Sequence, residues 1–243
     1  MYDIITKAEY WRWLEDKINT PQPGGAGLLK HIQDTFILAA LQGVSGRRIL
    51  EFGGGDSRIL KQLAKTNECW NLDKFEGAGA GPTKLLRQRR VKTVTAFMGD
   101  FDDRAPTDYF DYVVSVSVAE HIPAADLDKT FADCARVLKP GGALIQAIDV
   151  YLPDAADKHD PQHQYGRPRL ACYLSAAQKA GLTLKQPAAI DADVCFRGYH
   201  ASNSDTTLYF WNSVAPALRA TRERAQSVSL KAWWMKPGPA SAS

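Results

Sequence analysis

Three consecutive glycines between a carboxylate and a serine are the stretch best suited to chemistry in this chain. Within residues 47–60, RRILEFGGGDSRIL, the apolar Ile49, Leu50 and Phe52 surround Glu51, and Gly53, Gly54 and Gly55 follow at once. Ser57 then opens a segment in which Ile59, Leu60, Leu63 and Ala64 recur at helical spacing. A strand that enters a glycine-rich turn and then a helix makes a nucleotide-binding corner. The glycines let backbone N–H groups approach a ligand closely, and the helix start suits polar or anionic groups. The same turn can be an ordinary tight connection, so the residues downstream decide. Asp73 ends the next apolar run about twenty residues on, where a carboxylate can accept both hydroxyls of a ribose. Gly99-Asp100-Phe101 closes a third run and offers an acid and an apolar side chain that could bracket an adenine. Phe110-Asp111-Tyr-Val-Val-Ser leads to Ala119-Glu120-His121-Ile122-Pro123, and Arg136-Val-Leu-Lys-Pro-Gly-Gly joins a helix to a further strand.

The elements that must position these residues alternate. Strands are expected at 48–53, 69–72, 91–98, 110–117 and 143–150, with helices at 57–65, 83–90 and 124–137 between them. Lys139-Pro140-Gly141-Gly142 reads as the stop of the helix at 124–137. Strand–helix repetition of this kind predicts an α/β fold: a Rossmann-like, doubly wound, mostly parallel seven-stranded sheet with helices on both faces. Two helices precede it, at 4–19 (stripe Ile5, Ala8, Tyr10/Trp11, Leu14, Ile18) and 27–41, separated by Pro21-Gln-Pro-Gly-Gly. They read as a helical cap over 1–44, either packed on the sheet edge or lying over the ligand. The core runs over 45–214. Within it, 151–169 is polar and aperiodic, long enough to be a functional loop and a candidate lid. A helix at 169–180 ends at Gly181, strands follow at 182–186 and 207–214 with an extended piece at 194–196, and 215–243 reads as a C-terminal helix over 215–230 with a fraying tail.

The motifs in this order resemble the class I S-adenosylmethionine-dependent methyltransferases, in particular the methyltransferase type 11 branch that includes ubiquinone-biosynthesis enzymes. The resemblance covers residues 45–150, and its most specific parts are FDYVVS…EHIP and RVLKPGG. The family's acidic-x-Gly-x-Gly-x-Gly is met as Glu51-Phe-Gly53-Gly54-Gly55-Asp-Ser57, with serine in the last glycine's place. A dinucleotide dehydrogenase is the structural competitor, but its GxGxxG spacing is absent and RVLKPGG has no place in it. The resemblance implies S-adenosylmethionine as cofactor. It implies that Glu51, Gly53, Gly54, Gly55 and Ser57 shape the pocket for the methionine part, and that Asp73 binds the ribose. Asp100 and the Phe101 backbone N–H would take the adenine, and backbone near Ser117 the methionine ammonium. Asp111 stays outside this set, as a residue that caps neighbouring backbone.

A sulfonium is already a good leaving group, so a protein that uses one must align a nucleophile and, for a hydroxyl, remove its proton. Histidine is the natural base near neutral pH. Of the five histidines, His31 falls on the polar side of a cap helix and His200 in a late stretch. His121 follows strand four at the sheet edge where such folds bind ligands, and His159 and His163 lie in the candidate lid. These three are the candidate bases. Some relatives that methylate RNA 3′ ends carry Glu-x-x-Glu-His at this point and bind a divalent metal. Here Ser117 replaces the first carboxylate, Glu120 and His121 are a thin ligand set even with His159, Asp160 or His163 added, and no metal is expected.

The expected reaction is methyl transfer to a small-molecule or glycan acceptor, with O-methylation by a histidine base first. N-methylation of a small amine is the alternative, left open by Tyr151, Tyr165, Tyr199 and Trp211 as parts of a cation cage. A second alternative is a non-catalytic, cofactor-binding scaffold subunit. Composition sets no bias toward other partners. At 243 residues, 45% hydrophobic and 23% charged, with a net charge of +3, the chain has the balance of an ordinary globule. The basic cluster at 87–92, RQRRVK, reads as a solvated helix end, so nucleic acid is not an expected partner; a homodimer stays open. The four cysteines lack paired spacing and suit a reducing compartment. No run approaches the roughly 18 apolar residues of a membrane span, and the N-terminal residues lack the apolar region of a signal peptide, so a cytoplasmic location is expected.

Overall fold

The computed structural model describes residues 1–19, 28–77, 81–151, 167–190, 200–201 and 227–239. Among the described residues eight strands form one sheet: β1 (Tyr2–Ile4), β2 (Arg48–Phe52), β3 (Glu68–Leu72), β4 (Val91–Val94), β5 (Phe110–Val116), β6 (Leu138–Tyr151), β7 (Thr183–Leu184) and β8 (Ser227–Met235). Their spatial order is β1-β8-β6-β5-β2-β3-β4, with β7 paired to β8. The five strands from β6 to β4 are parallel, and β8, β1 and β7 pair antiparallel. The expected doubly wound α/β sheet is therefore present, with β1 as a strand the sequence reading did not include. The chain leaves β2 toward β3 on one side and β5 lies on the other, so the strand order reverses at β2, where such folds open a ligand crevice.

Alternation along the strands sends side chains to two cores. Leu50, Phe52, Val113 and Leu144 face one cluster with Phe131 and Tyr173, from helices α4 (Leu127–Val137) and α5 (Arg167–Lys179). Ile49, Val114 and Ile145 face the other, with Tyr10, Ile32 and Leu60 from α1 (Lys7–Glu15), α2 (Leu28–Ala40) and α3 (Arg58–Leu63). With both faces covered, the central strands read as almost unbroken apolar runs. Each fully buried side chain of this size contributes about 1.5–3 kcal/mol by leaving water.

Several expectations are corrected. Helix α1 starts after the capping box of Thr6 and Glu9: Glu9 N–H donates to Thr6 Oγ1 at 3.3 Å, and Thr6 N–H to Glu9 Oε2 at 3.0 Å. Residues 2–4 are thereby left free to form β1. The helix buries Tyr10 and Trp13 and leaves Trp11 50% exposed, one turn-position away from the expected stripe. Residues 83–90 are not helical. Leu85 and Leu86 alone give no apolar face to bury, Leu85 is exposed, and a segment this short needs one to hold a helix. Strand β4 ends at Val94, short of Met98.

The Lys-Pro-Gly-Gly turn does not interrupt the chain between α4 and the next strand. Strand β6 begins at Leu138, which pairs with Phe110; Ala143 pairs with Tyr112, so residues 139–142 bulge out of the ladder. Only glycine fits at Gly142, where a Cβ would meet the Lys139 carbonyl at 2.9 Å and that of Asp111 at 3.1 Å. Asp111 accepts the Arg48 N–H at 2.8 Å and the Lys139 ammonium at 3.2 Å, which ties β2, β5 and β6 together away from the crevice. Strand β8 occupies part of the stretch expected as a helix over 215–230. Val228, Leu230, Ala232 and Trp234 alternate into one core, while Ser229 and Lys231 are buried on the other face. Lys231 tolerates burial because its ammonium meets Glu9 Oε1 at 2.5 Å, which also ties α1 to the sheet. The strand expected at 207–214, the extended piece at 194–196 and most of the candidate lid, 152–166, lie outside the described residues.

Candidate active site

A cavity of about 470 Å³ opens at the C-terminal ends of β2 to β5. Its floor is the glycine turn. Gly53 has φ +67°, and a Cβ there would meet Val118 Cγ2 at 2.6 Å, so the turn can pass under the β5 loop only as glycine. Gly53 N–H donates to the Leu72 carbonyl at 2.8 Å. The turn is held from behind: Ser57 Oγ donates to Glu51 Oε2 while accepting Leu60 N–H at 2.9 Å, and Asn71 Nδ2 donates to the Gly55 carbonyl at 2.9 Å. Glu51 is buried, and burial pushes its carboxyl up to about 8, against the partial relief of the Ser57 hydroxyl. It lies behind the glycines, outside the cavity wall. Asp34 on α2 forms a fork with Arg58 (2.5 and 3.0 Å), joining the cap helix to α3.

Asp73 stands in the cavity wall at the end of β3. Its Oδ2 accepts Gly55 N–H at 2.8 Å and its Oδ1 accepts Phe75 N–H at 2.7 Å. Each oxygen keeps a lone pair for a second donor, so the carboxylate is fixed in place and still able to receive two hydroxyls. Beyond it the wall turns apolar, with Leu72, Ala96, Phe97 and Met98, and then meets Asp100, whose Oδ2 accepts Phe97 N–H at 3.0 Å. Phe101 is not in the wall. Its N–H, expected to face an adenine, donates to Asp133 Oδ2 at 3.2 Å, which also takes Gly99 N–H at 2.8 Å. Arg136 holds the other oxygen of Asp133 at 2.8 Å and reaches the Ala105 carbonyl at 2.8 Å, so the RVLKPGG arginine is a structural clamp. Phe97, not singled out by the sequence, takes the apolar position beside Asp100. The cavity thus offers a fixed carboxylate and, beyond it, a slot of mixed polarity.

The far wall comes from α2, the end of β5 and the turn after it. Lys30, Ser117, Val118 and His121 line it. Ser117 has φ +57°, and its hydroxyl donates to Asp149 Oδ1 at 3.1 Å. Gln33 of α2 donates to the same oxygen at 2.6 Å, so α2 both packs on the sheet and reaches the site. Glu120 is fully buried beside His121, 3.9 Å from its Nε2. Burial, reinforced by the Asp149 charge, drives the Glu120 carboxyl well above its ordinary range. Burial also raises Asp149, with Gln33 and Ser117 opposing. His121 is half-buried and pulled below its ordinary value by that burial, while Asp149 works to raise it. Burial thus favours the neutral imidazole. His159 and His163 lie outside the described residues. His31 pairs with the Tyr10 hydroxyl at 2.8 Å, and His200 is buried beside Thr6, away from the cavity wall. Sequence reading missed Lys30, Gln33, Phe97 and Asp149. Only the placement of Asp149 at the end of an apolar strand signals it.

Cys69, Cys134 and Cys172 are free thiols, and no helix among the described residues is long and apolar enough to cross a membrane.

Residues 50–146 match the family model described as "Methyltransferase domain". Over 218 residues the chain is 24% identical to an uncharacterized methyltransferase of Mycobacterium marinum, covering 86% of this chain and 76% of that one. Among solved structures, phosphoethanolamine N-methyltransferase 2 of Haemonchus contortus, in complex with phosphomonomethylethanolamine and S-adenosylhomocysteine, superposes with a TM-score of 0.54. Identity is 19%, over 84% of this chain and 52% of that one. Geranyl diphosphate C-methyltransferase from Streptomyces coelicolor, with Mg2+, geranyl diphosphate and S-adenosyl-L-homocysteine, gives 0.54 at 13% identity, over 84% and 76%. The resemblance read from the sequence is borne out: residues 50–146 match a methyltransferase domain, and the fold is that of the class I S-adenosylmethionine-dependent methyltransferases.

Proposed function

We propose that the chain methylates a hydroxyl of a small-molecule or glycan acceptor, with S-adenosylmethionine in the cleft and His121 as general base. The observation that carries this reading is the half-buried imidazole of His121 in the wall of the cavity that Asp73 also lines. When bound, S-adenosylmethionine supplies a methyl group already activated on a sulfonium. Asp73 would accept the ribose hydroxyls, Asp100, Phe97 and Met98 would hold the adenine, and main chain at Ser117 would accept from the methionine ammonium. Gly53 and its neighbours, backed by Glu51, Asn71 and Ser57, keep the floor rigid and low. His121 takes the acceptor's hydroxyl proton as the oxygen is methylated. The turn around it is held by Arg169 of α5, whose guanidinium donates to the Ala119 carbonyl at 3.2 Å and to that of Ile122. His159 and His163 remain candidates for the same role. Transfer to an amine would need no base, and the N-methyltransferase among the structural neighbours keeps that reading in view.

Turnover with methyl-labelled cofactor against a panel of hydroxyl and amine acceptors tests the proposal. An O-methylated product is expected, and His121→Ala should lower its turnover by about 10²–10⁴-fold, the usual worth of a base. Affinity for S-adenosylhomocysteine should stay within a few-fold, since the imidazole acts in the transition state. Products confined to amines, or near-normal turnover in the variant, would overturn it.

A further inference from the structure

Behind His121 lies a pair of buried carboxyls that the proposed reaction does not yet use. Glu120 is fully buried, and neither of its oxygens has a hydrogen-bond partner among the described residues. Two ionised carboxylates buried in such a place would each forfeit water and repel the other, so one proton held by the pair is by far the cheaper state. The neighbours decide where the proton sits. Asp149 Oδ1 receives the Gln33 amide at 2.6 Å and the Ser117 hydroxyl at 3.1 Å, two donors that favour an ionised oxygen. Glu120 has the backbone N–H groups of Glu120 and Asp149 and the Ser117 hydroxyl nearby, none in hydrogen-bond geometry, and the Ser117 hydrogen is committed to Asp149. The other charged or titratable groups facing the cluster are His121 on the turn itself, Lys30 on α2, and Arg169 and Tyr173 on α5. Lys30 favours a charge on Asp149. No set of three or more His, Cys, Asp or Glu among the described residues is arranged to hold a cation that would replace the proton.

We propose that Glu120 and Asp149 hold one proton between them, lodged on Glu120, and that the charge left on Asp149 makes it the positioning residue for His121. The inference rests on the reading of His121 as base. In it, Asp149 is the fixed negative charge that favours the imidazolium formed when His121 takes a proton, which raises the basicity that burial lowers. Glu120 fills the space beneath the turn without adding a second charge. The arrangement separates two carboxyls by environment: one stays acid, the other stays carboxylate.

The test needs no acceptor. In protein labelled with carbon-13 at carboxyls and imidazoles and free of cofactor, nuclear magnetic resonance at pH 7 should find Glu120 protonated and Asp149 ionised. The His121 midpoint should move to lower pH in Asp149→Asn and stay where it is in Glu120→Gln, an amide of the same shape as the protonated acid. A purely structural role for Asp149 would leave the His121 midpoint unmoved. Ionised Glu120 or protonated Asp149 in the wild type, or equal His121 midpoints in wild type and Asp149→Asn, would overturn the proposal. If Asp149→Asn does not fold, the wild-type carboxyl spectrum decides alone. The outcome is independent of the turnover test: loss of activity on His121→Ala concerns the base, and this titration concerns the pair behind it.

Discussion

On one side of the cleft, the shelf from Glu51 to Ser57 is shaped by neighbouring residues acting on one another's backbone. On the other, Lys30, Ser117 and His121 come from α2, the end of β5 and the turn after it, backed by Glu120 and by Asp149 near the end of β6. The carboxylates at the shelf take donors from the β2–β3 stretch of chain, six positions away for Glu51 and Ser57 and 18 for Asp73 and Gly55. The opposite wall buries its acids against partners distant in the chain, Gln33 with Asp149 among them. A wall built locally fixes a shape, which suits a cofactor that stays the same. A wall built from distant pieces fixes electrostatics, which suits the proton traffic of an acceptor. Variants on the first should change affinity and leave rate-related titrations alone, and variants on the second should do the reverse.

The largest effect expected on the shelf side is that of Asp73→Ala. Losing a charged acceptor costs about 1.5–3 kcal/mol, so S-adenosylhomocysteine should bind roughly ten- to a hundred-fold more weakly by calorimetry. The His121 midpoint should not move. A shifted midpoint would break the separation between the walls.

Glu51 offers a subtler test of the shelf. Its raised folded-state pKa, about 8, means that the folded protein keeps a proton that the unfolded chain loses above about 4.5. That contribution is fully present below pH 4.5 and is lost as pH rises toward 8, by up to about 1.4 kcal/mol per pH unit. Glu51→Gln should therefore show a shallower fall of denaturation midpoint between pH 5 and 8 than the wild type. An unchanged slope would mean that the carboxyl is ionised in the fold.

The smallest expected effect sharpens the other wall. Lys30 is exposed at the cavity edge and depresses the His121 midpoint through solvent. Lys30→Met should raise that midpoint slightly in an imidazole titration at low salt, and the difference should fade as salt is added. A fall in the midpoint would place the cation on the wrong side of the account.

The contrast between the walls is also a contrast in legibility. The glycine turn, Asp73, Asp100 and the apolar run of β5 could be read directly, because glycine geometry and a carboxylate at a strand end leave a short-range signature. Asp111 could be set aside for the same reason and proves to hold strands together. Asp149 closes an apolar strand but has no nearby partner in sequence; its meaning comes from Gln33, and no pattern links the two. The Phe101 N–H goes to Asp133 on α4, a partner that no local pattern ties to it. Residues 83–90 look helical by composition, yet no core face exists for Leu85 to enter. Strand β8 escaped because Ser229 and Lys231 dilute its apolar character, and only the buried contacts to Ile148 and Glu9 make those residues fit inside.

Calorimetric titration of the wild-type chain with S-adenosylhomocysteine, and separately with NAD, tests the central claim most directly. A single site of micromolar affinity for the first and no heat with the second is the predicted result. Binding of NAD in place of S-adenosylhomocysteine, or no binding of S-adenosylhomocysteine at millimolar concentration, would contradict it.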